Sequence, residues 1–254
     1  MYNFIDLHCH ILCNVDDGAK DTDTMKKMLD IAYSDGTKAI CFTPHFKIYR
    51  FDSDEEILQY NKAINHYFKI AQEYAQNKYP DMNIYLGNEI MYHIDILDSL
   101  ATKKCSTISD SSFVLIEFRP QVSSYDLRTA TLNLLRKGFT PILAHVERYE
   151  AFVKDFSLLE ELKDAGAIIQ VNASSITDLR FGKTSRFVQK ALKNKLVDIV
   201  CSDSHDAKVL SPGLSKAHKR VLKSYGEDYA KKIFHDNQLL ILPNTTKETE
   251  NELE

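Results

Sequence analysis

His8 and His10 stand one residue apart in Asp6-Leu7-His8-Cys9-His10, and Asp203 and His205 repeat that spacing near the other end of the chain. Alternate residues of an extended segment point to the same face, so each pair projects together. Imidazole and carboxylate side by side suit manganese, iron or zinc. One His-x-His pair is weak evidence, because two histidines can be plain polar positions at a loop edge. The full set is stronger. Apolar runs at 4–7, 39–42, 84–86, 113–118, 142–144 and 198–201 lead to or contain, in turn, His8 with His10, His45, Glu89, Glu117, His145, and Asp203 with His205. Such groups at the ends of apolar segments need partners for their charge, and a shared metal supplies one. Asp6 has the parity of His8 and is expected to lie deeper, accepting a hydrogen bond that orients an imidazole.

Other chemistries that these residue types could carry fit poorly. A cysteine-dependent phosphatase needs an arginine six residues beyond its nucleophile, yet the residues six beyond Cys9, Cys13, Cys41, Cys105 and Cys201 are Val15, Ala19, Lys47, Ser111 and Ala207. Cys9 also has the opposite parity to its flanking histidines and reads as a core thiol. Asp21-Thr-Asp23-Thr24 follows Gly18-Ala19-Lys20 instead of an apolar strand end, so it reads as a capped helix start and not a phosphoaspartate site. Glycine-rich phosphate loops are absent.

The elements that must position these residues follow from periodicity. The apolar runs, together with 167–171 ending at Asn172, are rich in β-branched and aromatic residues and predict strands; only the run ending at Asn172 offers no obvious ligand. Helical spacing links Met25, Met28, Leu29 and Ala32, then Ile57, Tyr60, Ile64, Tyr67, Phe68, Ala71 and Tyr74 in a tyrosine-rich stripe that should face the core. It returns at Leu127, Ala130 and Leu134, at Leu158, Leu159 and Leu162, and at Phe187, Val188, Ala191 and Leu192, while Gly36, Gly138 and Gly166 follow three of these helices. Strand and helix alternate throughout, which predicts an α/β fold of parallel strands, and about seven repeats close a barrel. Functional groups then converge at the carboxyl ends of the strands.

The 254 residues carry 32 Lys and Arg against 36 Asp and Glu, a net charge of −4 that offers no footprint for nucleic acid. No run approaches the ~18 apolar residues of a membrane span. Five scattered cysteines do not form a disulfide framework, which points to the cytoplasm. A single barrel domain is expected over 1–243, with 244–254 as a polar, frayed tail.

Asp6-Leu7-His8-Cys9-His10, Val15-Asp16-Asp17-Gly18-Ala19-Lys20, Thr43-Pro44-His45, Gly87-Asn88-Glu89-Ile90, Leu115-Ile116-Glu117-Phe118, Ala144-His145-Val146-Glu147-Arg148-Tyr149 and Ser202-Asp203-Ser204-His205 resemble, in that order, the motifs of the PHP (polymerase and histidinol phosphatase) superfamily. Within it they are most similar to the capsule-biosynthesis tyrosine phosphatases of the CpsB/YwqE type. The resemblance runs from Ile5 to about Phe234. It implies a distorted (β/α)7 TIM-like barrel with a multinuclear metal site at the carboxyl ends of the strands. It further implies three divalent metals, manganese before iron or zinc: one on His8, His10, Glu89 and Asp203, a second on Glu89, Glu117 and His145, and a third on Asp17, His45 and His205. Those four carboxylates against three dications leave roughly +2, a charge that attracts a phosphate dianion.

The implied activity is hydrolysis of phosphotyrosine on protein, with the tail of a bacterial tyrosine autokinase controlling capsule or exopolysaccharide synthesis as substrate. Arg148 would contact the phosphate. Asp203 is a candidate proton donor to the leaving phenol, whose pKa of about 10 makes a strong acid less necessary. One departure stands out: relatives carry a second arginine after the last Asp-x-His pair, whereas 206–213 contains only Lys208. Two alternatives remain. Histidinol-phosphate phosphatases share the barrel but place histidines where this chain has Asp17 and Glu117, and a metal-binding regulator without catalysis would share the ligands.

Overall fold

Each β-branched or aromatic run forms a parallel strand in the computed structural model, which describes residues 3–178 and 182–243. The stretch 244–254, expected as a polar tail, lies outside the described residues. The strands are β1 (Phe4–Cys9), β2 (Thr37–Phe42), β3 (His45–Phe46), β4 (Asn83–Leu86), β5 (Glu89–Met91), β6 (Phe113–Glu117), β7 (Thr140–Leu143), β8 (Ile168–Asn172) and β9 (Ile199–Cys201). They hydrogen-bond in two sets, β1-β2-β4 and β3-β5-β6-β7-β8-β9.

The second and third predicted strands form intact as β2 and β4, and each line resumes after a break as a further short strand. The breaks fall side by side, at Thr43-Pro44 and at Gly87-Asn88, where Pro44 has no N–H to give to a ladder. Asn88 ties them together: its Nδ2 donates to Pro44 O at 2.9 Å and its Oδ1 accepts from Ser106 N at 2.8 Å. β2 continues as β3 and β4 as β5, so these two lines join the sets and the strands run in seven lines. The last line returns to the first. Cys9 bridges Ser204, His10 N donates to Ser204 O at 2.8 Å, and Asp203 N donates to His8 O at 2.9 Å. The curl therefore closes at its carboxyl end, giving the expected distorted (β/α)7 barrel.

The predicted apolar stripes are the buried faces of α1 (Thr22–Asp35), α2 (Asp54–Lys78), α4 (Ser124–Arg136), α6 (Ser157–Asp164) and α8 (Lys183–Lys193); the shorter α3 (Ile96–Ala101), α5 (Glu150–Lys154) and α7 (Ala173–Thr177) lie between them. Asp21 caps α1 by accepting from Thr24 N at 2.7 Å, as its position before the first helical residue predicts. Tyr60, Tyr67 and Tyr74 on α2 are half-buried against the core. Beyond the last strand, α9 (Ser215–Tyr225) begins on Asp35, whose Oδ2 accepts from Leu214 N and Ser215 N at 2.6 and 2.7 Å. Ile241 and Leu242 join Ile5, Leu7, Cys41, Leu115 and Ile199 in one apolar cluster drawn from several strands, which places it inside the curl. Among the described residues no helix is long and apolar enough to cross a membrane.

Candidate metal centre

The nine side chains proposed as ligands from the sequence all arrive at the closed carboxyl end. Glu89, fully buried at the start of β5, is their centre. Its Oε1 is 2.8 Å from His145 Nε2 and 3.3 Å from His8 Nε2, and its Oε2 is 2.9 Å from His45 Nδ1 and 3.2 Å from His10 Nε2. Burial pushes the Glu89 carboxyl up, but these imidazoles reverse the effect and hold it well below the usual carboxylate range. His45 also faces Glu117 Oε1 at 3.1 Å and Asp17 Oδ1 at 3.4 Å. Burial opposes a charge on His45, yet the Glu117 and Glu89 carboxylates outweigh it and raise its pKa to about 9. His205 stacks on His10 with ring centroids 4.1 Å apart, and its Nε2 is 3.6 Å from Asp17 Oδ1. Burial and then His10 lower its pKa.

Asp203 sits between His8 (3.3 Å) and His10 (3.6 Å) and accepts at Oδ2 from Arg148 Nη2 at 2.5 Å and Asn172 Nδ2 at 2.7 Å. Burial and Glu89 act to raise its pKa, but His8 and Arg148 prevail and bring it to about 2. These partners favour the carboxylate form of Asp203, the form that can ligate a metal and hold Arg148. Asp203 and His145 both have left-handed backbone, with φ of 51° and 32°, a conformation that few residues other than glycine adopt and that clusters at functional sites.

His8 and His10 are held from behind. Gln170 Oε1 accepts from His145 N at 2.6 Å, so its oxygen faces the site and His8 Nδ1, 3.2 Å away, must be the donor to it. That leaves the His8 Nε2 lone pair directed at Glu89 and Asp203, ready for a metal. Gln170 Nε2 donates on to Asn172 Oδ1 at 2.8 Å. The strand expected to supply no ligand thus hydrogen-bonds groups from three other strand lines: His8 of β1, His145 after β7 and Asp203 after β9. His10 Nδ1 lies 2.7 Å from Asp16 Oδ2, which also accepts from His45 N at 3.1 Å, while Asp16 Oδ1 accepts from Gly18 N at 3.0 Å. Gly18 is required here, because a Cβ would stand 2.0 Å from His10 O.

Asp16, Gln170 and Asn172 are functional positions that sequence reasoning missed. Asp16 adjoins Asp17 in the Asp-Asp-Gly element, a visible signal; the two amides gave none. Asp6, expected to orient an imidazole, does not. Its Oδ1 accepts instead from the backbone N–H of Ser202 at 3.0 Å and of His8 at 3.4 Å, so it clamps β1 to the segment after β9. Cys9 points away from the site as its parity predicts, with Sγ 3.3 Å from Cys41 O. The segment after His145 is a hub. Glu147 Oε1 accepts from Asn172 N at 2.9 Å, Arg148 holds Asp203, and Tyr149 Oη accepts from Phe118 N at 3.1 Å. Lys208 is exposed, whereas the largely buried Lys47 places its Nζ 3.5 Å from Glu117 Oε1.

Ligand atoms within 4.8 Å of one another form four overlapping groups: His10, Asp17, His45 and His205; His8, His145 and Asp203; His8, His10 and Glu89; and His45, Glu89 and Glu117. His45 Nδ1, Glu89 Oε2 and Glu117 Oε1 are buried and lack hydrogen-bond partners, although the imidazole nitrogen lies 2.9 and 3.1 Å from the two oxygens. Buried polar atoms left in this way need a partner, and divalent cations fit a set of carboxylate oxygens and imidazole nitrogens.

A distorted (β/α)7 barrel whose closed end gathers several metal-binding groups of histidine and carboxylate defines the PHP class of metal-dependent hydrolases. Residues 4–243 match the family described as capsular polysaccharide synthesis, CpsB/CapC, and the chain belongs to that family. It is 33% identical to the tyrosine-protein phosphatase CpsB of Streptococcus agalactiae serotype V over 245 residues, covering 94% of this chain and 98% of that protein. With the tyrosine-protein phosphatase YwqE of Bacillus subtilis (strain 168) it shares 28% identity over 247 residues, 95% of this chain and 92% of YwqE. A solved chain from the crystal structures of YwqE from Bacillus subtilis and CpsB from Streptococcus pneumoniae superposes with a TM-score of 0.82 at 24% identity, covering 93% of this chain and 94% of that one. Histidinol phosphate phosphatase from Lactococcus lactis shares the fold more loosely, with a TM-score of 0.55 at 18% identity over 89% of this chain and 95% of that one.

Proposed function

We propose that this protein is a divalent-metal-dependent phosphomonoesterase that removes phosphate from tyrosine on proteins, its substrate being the phosphorylated tail of a bacterial tyrosine kinase of capsule or exopolysaccharide synthesis. The observation that carries this reading is the convergence of four overlapping donor groups around Glu89. Identity of 33% with CpsB across nearly the whole of both chains supports the choice of phosphotyrosine. His8, His10, Glu89 and Asp203 would hold one ion, Glu89, Glu117 and His145 a second, and Asp17, His45 and His205 a third; the mixed ligands suit manganese, iron or zinc, and the family resemblance favours manganese. When bound, the metals supply the Lewis acidity that activates water and neutralises the phosphoryl oxygens.

The remaining chemistry belongs to the chain. Arg148, anchored on Asp203 and with its side chain half open to solvent, presents a guanidinium to the equatorial oxygens of the phosphoryl group. Lys47 brings a second positive charge near Glu117, in place of the arginine absent after His205. Asp203, ionised, serves as ligand and as the anchor of Arg148. Five free, buried cysteines suit a cytoplasmic setting. The test is an assay of the manganese-reconstituted protein on a phosphotyrosine peptide, a phosphoserine peptide and histidinol phosphate. The phosphotyrosine peptide should give the highest kcat/KM, and preference for histidinol phosphate would contradict the reading.

A further inference from the structure

The donor groups differ in depth. The side chains of His8, His10, Glu89, His145 and Asp203 are at most 3% exposed, whereas Asp17 is 71%, His205 17% and His45 12% exposed. The group of His10, Asp17, His45 and His205 is therefore the one that water reaches. It is also the poorest in charge. Asp17 is its one carboxylate, while Glu89, Glu117 and Asp203 all belong to the other three groups. It differs in support as well. Arg148 and Asn172 both donate to Asp203, and Gln170 accepts from His8, but Asp17 Oδ1 meets His45 Nε2 at 3.4 Å and His205 Nε2 at 3.6 Å, and among the described residues no hydrogen bond fixes its carboxylate. Asp16, one residue earlier, is locked to His10, His45 and Gly18, so the chain delivers Asp17 to the rim without holding its side chain.

Affinity for a divalent cation grows with the number of charged ligands and with their rigidity, and water at an exposed site competes with both. We propose that the ion held by Asp17, His45 and His205 exchanges readily while the two around Glu89 stay, so that the protein keeps a permanent pair of metals and a third whose occupancy follows the free metal concentration. The proposal rests on the metal-dependent reading of the site and adds a mode of regulation to it: hydrolysis is tuned by the supply of divalent cation without loss of the fold. The two kinds of ion differ in what their departure uncovers. Loss of the outer ion returns to water a carboxylate that is already mostly exposed, whereas loss of the inner pair leaves Glu89 and Asp203 buried against imidazoles alone. A weakly held ion also adds less stability by mass action than a tightly held one.

The experiment dialyses the manganese-loaded protein against a series of chelator-buffered free manganese concentrations, and reads bound manganese by elemental analysis and Tm by thermal unfolding. One of three equivalents should leave at a free concentration at least about tenfold above that which removes the other two, the scale on which a change in ligand support alters metal affinity. The Tm should hold through the first loss and fall with the second. Asp17→Asn, a change at an exposed position, should bind two equivalents and release them at the same concentration as the unmodified protein. Release of all the manganese in one step, a maximum of two equivalents in the unmodified protein, or an Asp17→Asn protein that keeps the third ion at full affinity overturns the exchangeable site while leaving a metal-dependent hydrolase standing. Failure of the unmodified protein to bind manganese, iron or zinc overturns the metal reading and the exchangeable site together.

Discussion

Arg148 lets phosphate recognition be separated from metal assembly. Its Nη2 contacts Asp203 Oδ2 at 2.5 Å, but Asp203 is also held by Asn172, so loss of the guanidinium need not displace the carboxylate. Arg148→Ala should keep its metals and its fold while losing roughly 10²–10³ in kcat on a phosphotyrosine peptide. Arg148→Lys should restore little, since a point charge cannot make the paired contact of a planar guanidinium. Lys47→Ala should show a smaller loss of the same kind. Elemental analysis beside steady-state kinetics checks all three, and near-normal turnover in Arg148→Ala would remove it from the site. The proposed ligands other than Asp17 were legible because each stands at or just beyond the end of an apolar run, a pattern that survives in one dimension; Asp17 came from the family resemblance alone. Lys47 was not: its neighbour Glu117 comes from a strand that is adjacent only in space.

At the scale of the element, β8 carries the sharpest test. It supplies no ligand, yet Gln170 is hydrogen-bonded to both His8 Nδ1 and His145 N. Gln170→Ala should weaken metal binding by about 10–100-fold, the usual effect of removing a group that orients a ligand, and should lower stability by about 1–3 kcal/mol through the buried groups it leaves unpaired. Titration calorimetry and thermal unfolding read the two effects; unchanged metal affinity would show that the amide only fills space. Helix faces were readable from spacing, and Gly36, Gly138 and Gly166 all have the left-handed backbone expected of them, with φ of 108°, 84° and 111°. The paired breaks at Thr43-Pro44 and Gly87-Asn88 were not readable as a pair. Pro44 signals a defect in one strand, but the matching defect depends on the Asn88 side chain reaching across to Pro44 O.

At the scale of the whole molecule, the site stores uncompensated charge that protons or metals must balance. In the metal-free protein burial opposes charge on His10 and His45, but Asp16 and Glu89 raise the first and Glu117 and Glu89 raise the second, to about 9. Raised imidazoles contribute stability that is complete below their unfolded pKa of about 6.5 and is lost as pH climbs through the folded value. The depressed carboxylates of Asp16, Glu89 and Asp203 contribute stability present above about 4 and lost as pH falls, through about 2 for Asp203. The metal-free protein should therefore be most stable near pH 5–6.5, with a Tm that declines toward pH 9. Metal must displace the same imidazole protons, so apparent affinity should rise over the interval in which the metal-free Tm falls. A metal-free Tm that increases between pH 6.5 and 9 would contradict this charge balance.

Catalysis is expected to run on metals held around Glu89 and not on a thiol. All five cysteines are buried, and burial lifts the Cys9, Cys41 and Cys201 thiols far from the thiolate form a nucleophile needs. The most direct measurement is phosphotyrosine-peptide hydrolysis after three treatments of one preparation: chelation, chelation followed by manganese, and thiol alkylation. Chelation should abolish turnover, manganese should restore it, and alkylation should leave most of it. Turnover that survives chelation but disappears on alkylation of a single cysteine would contradict the account.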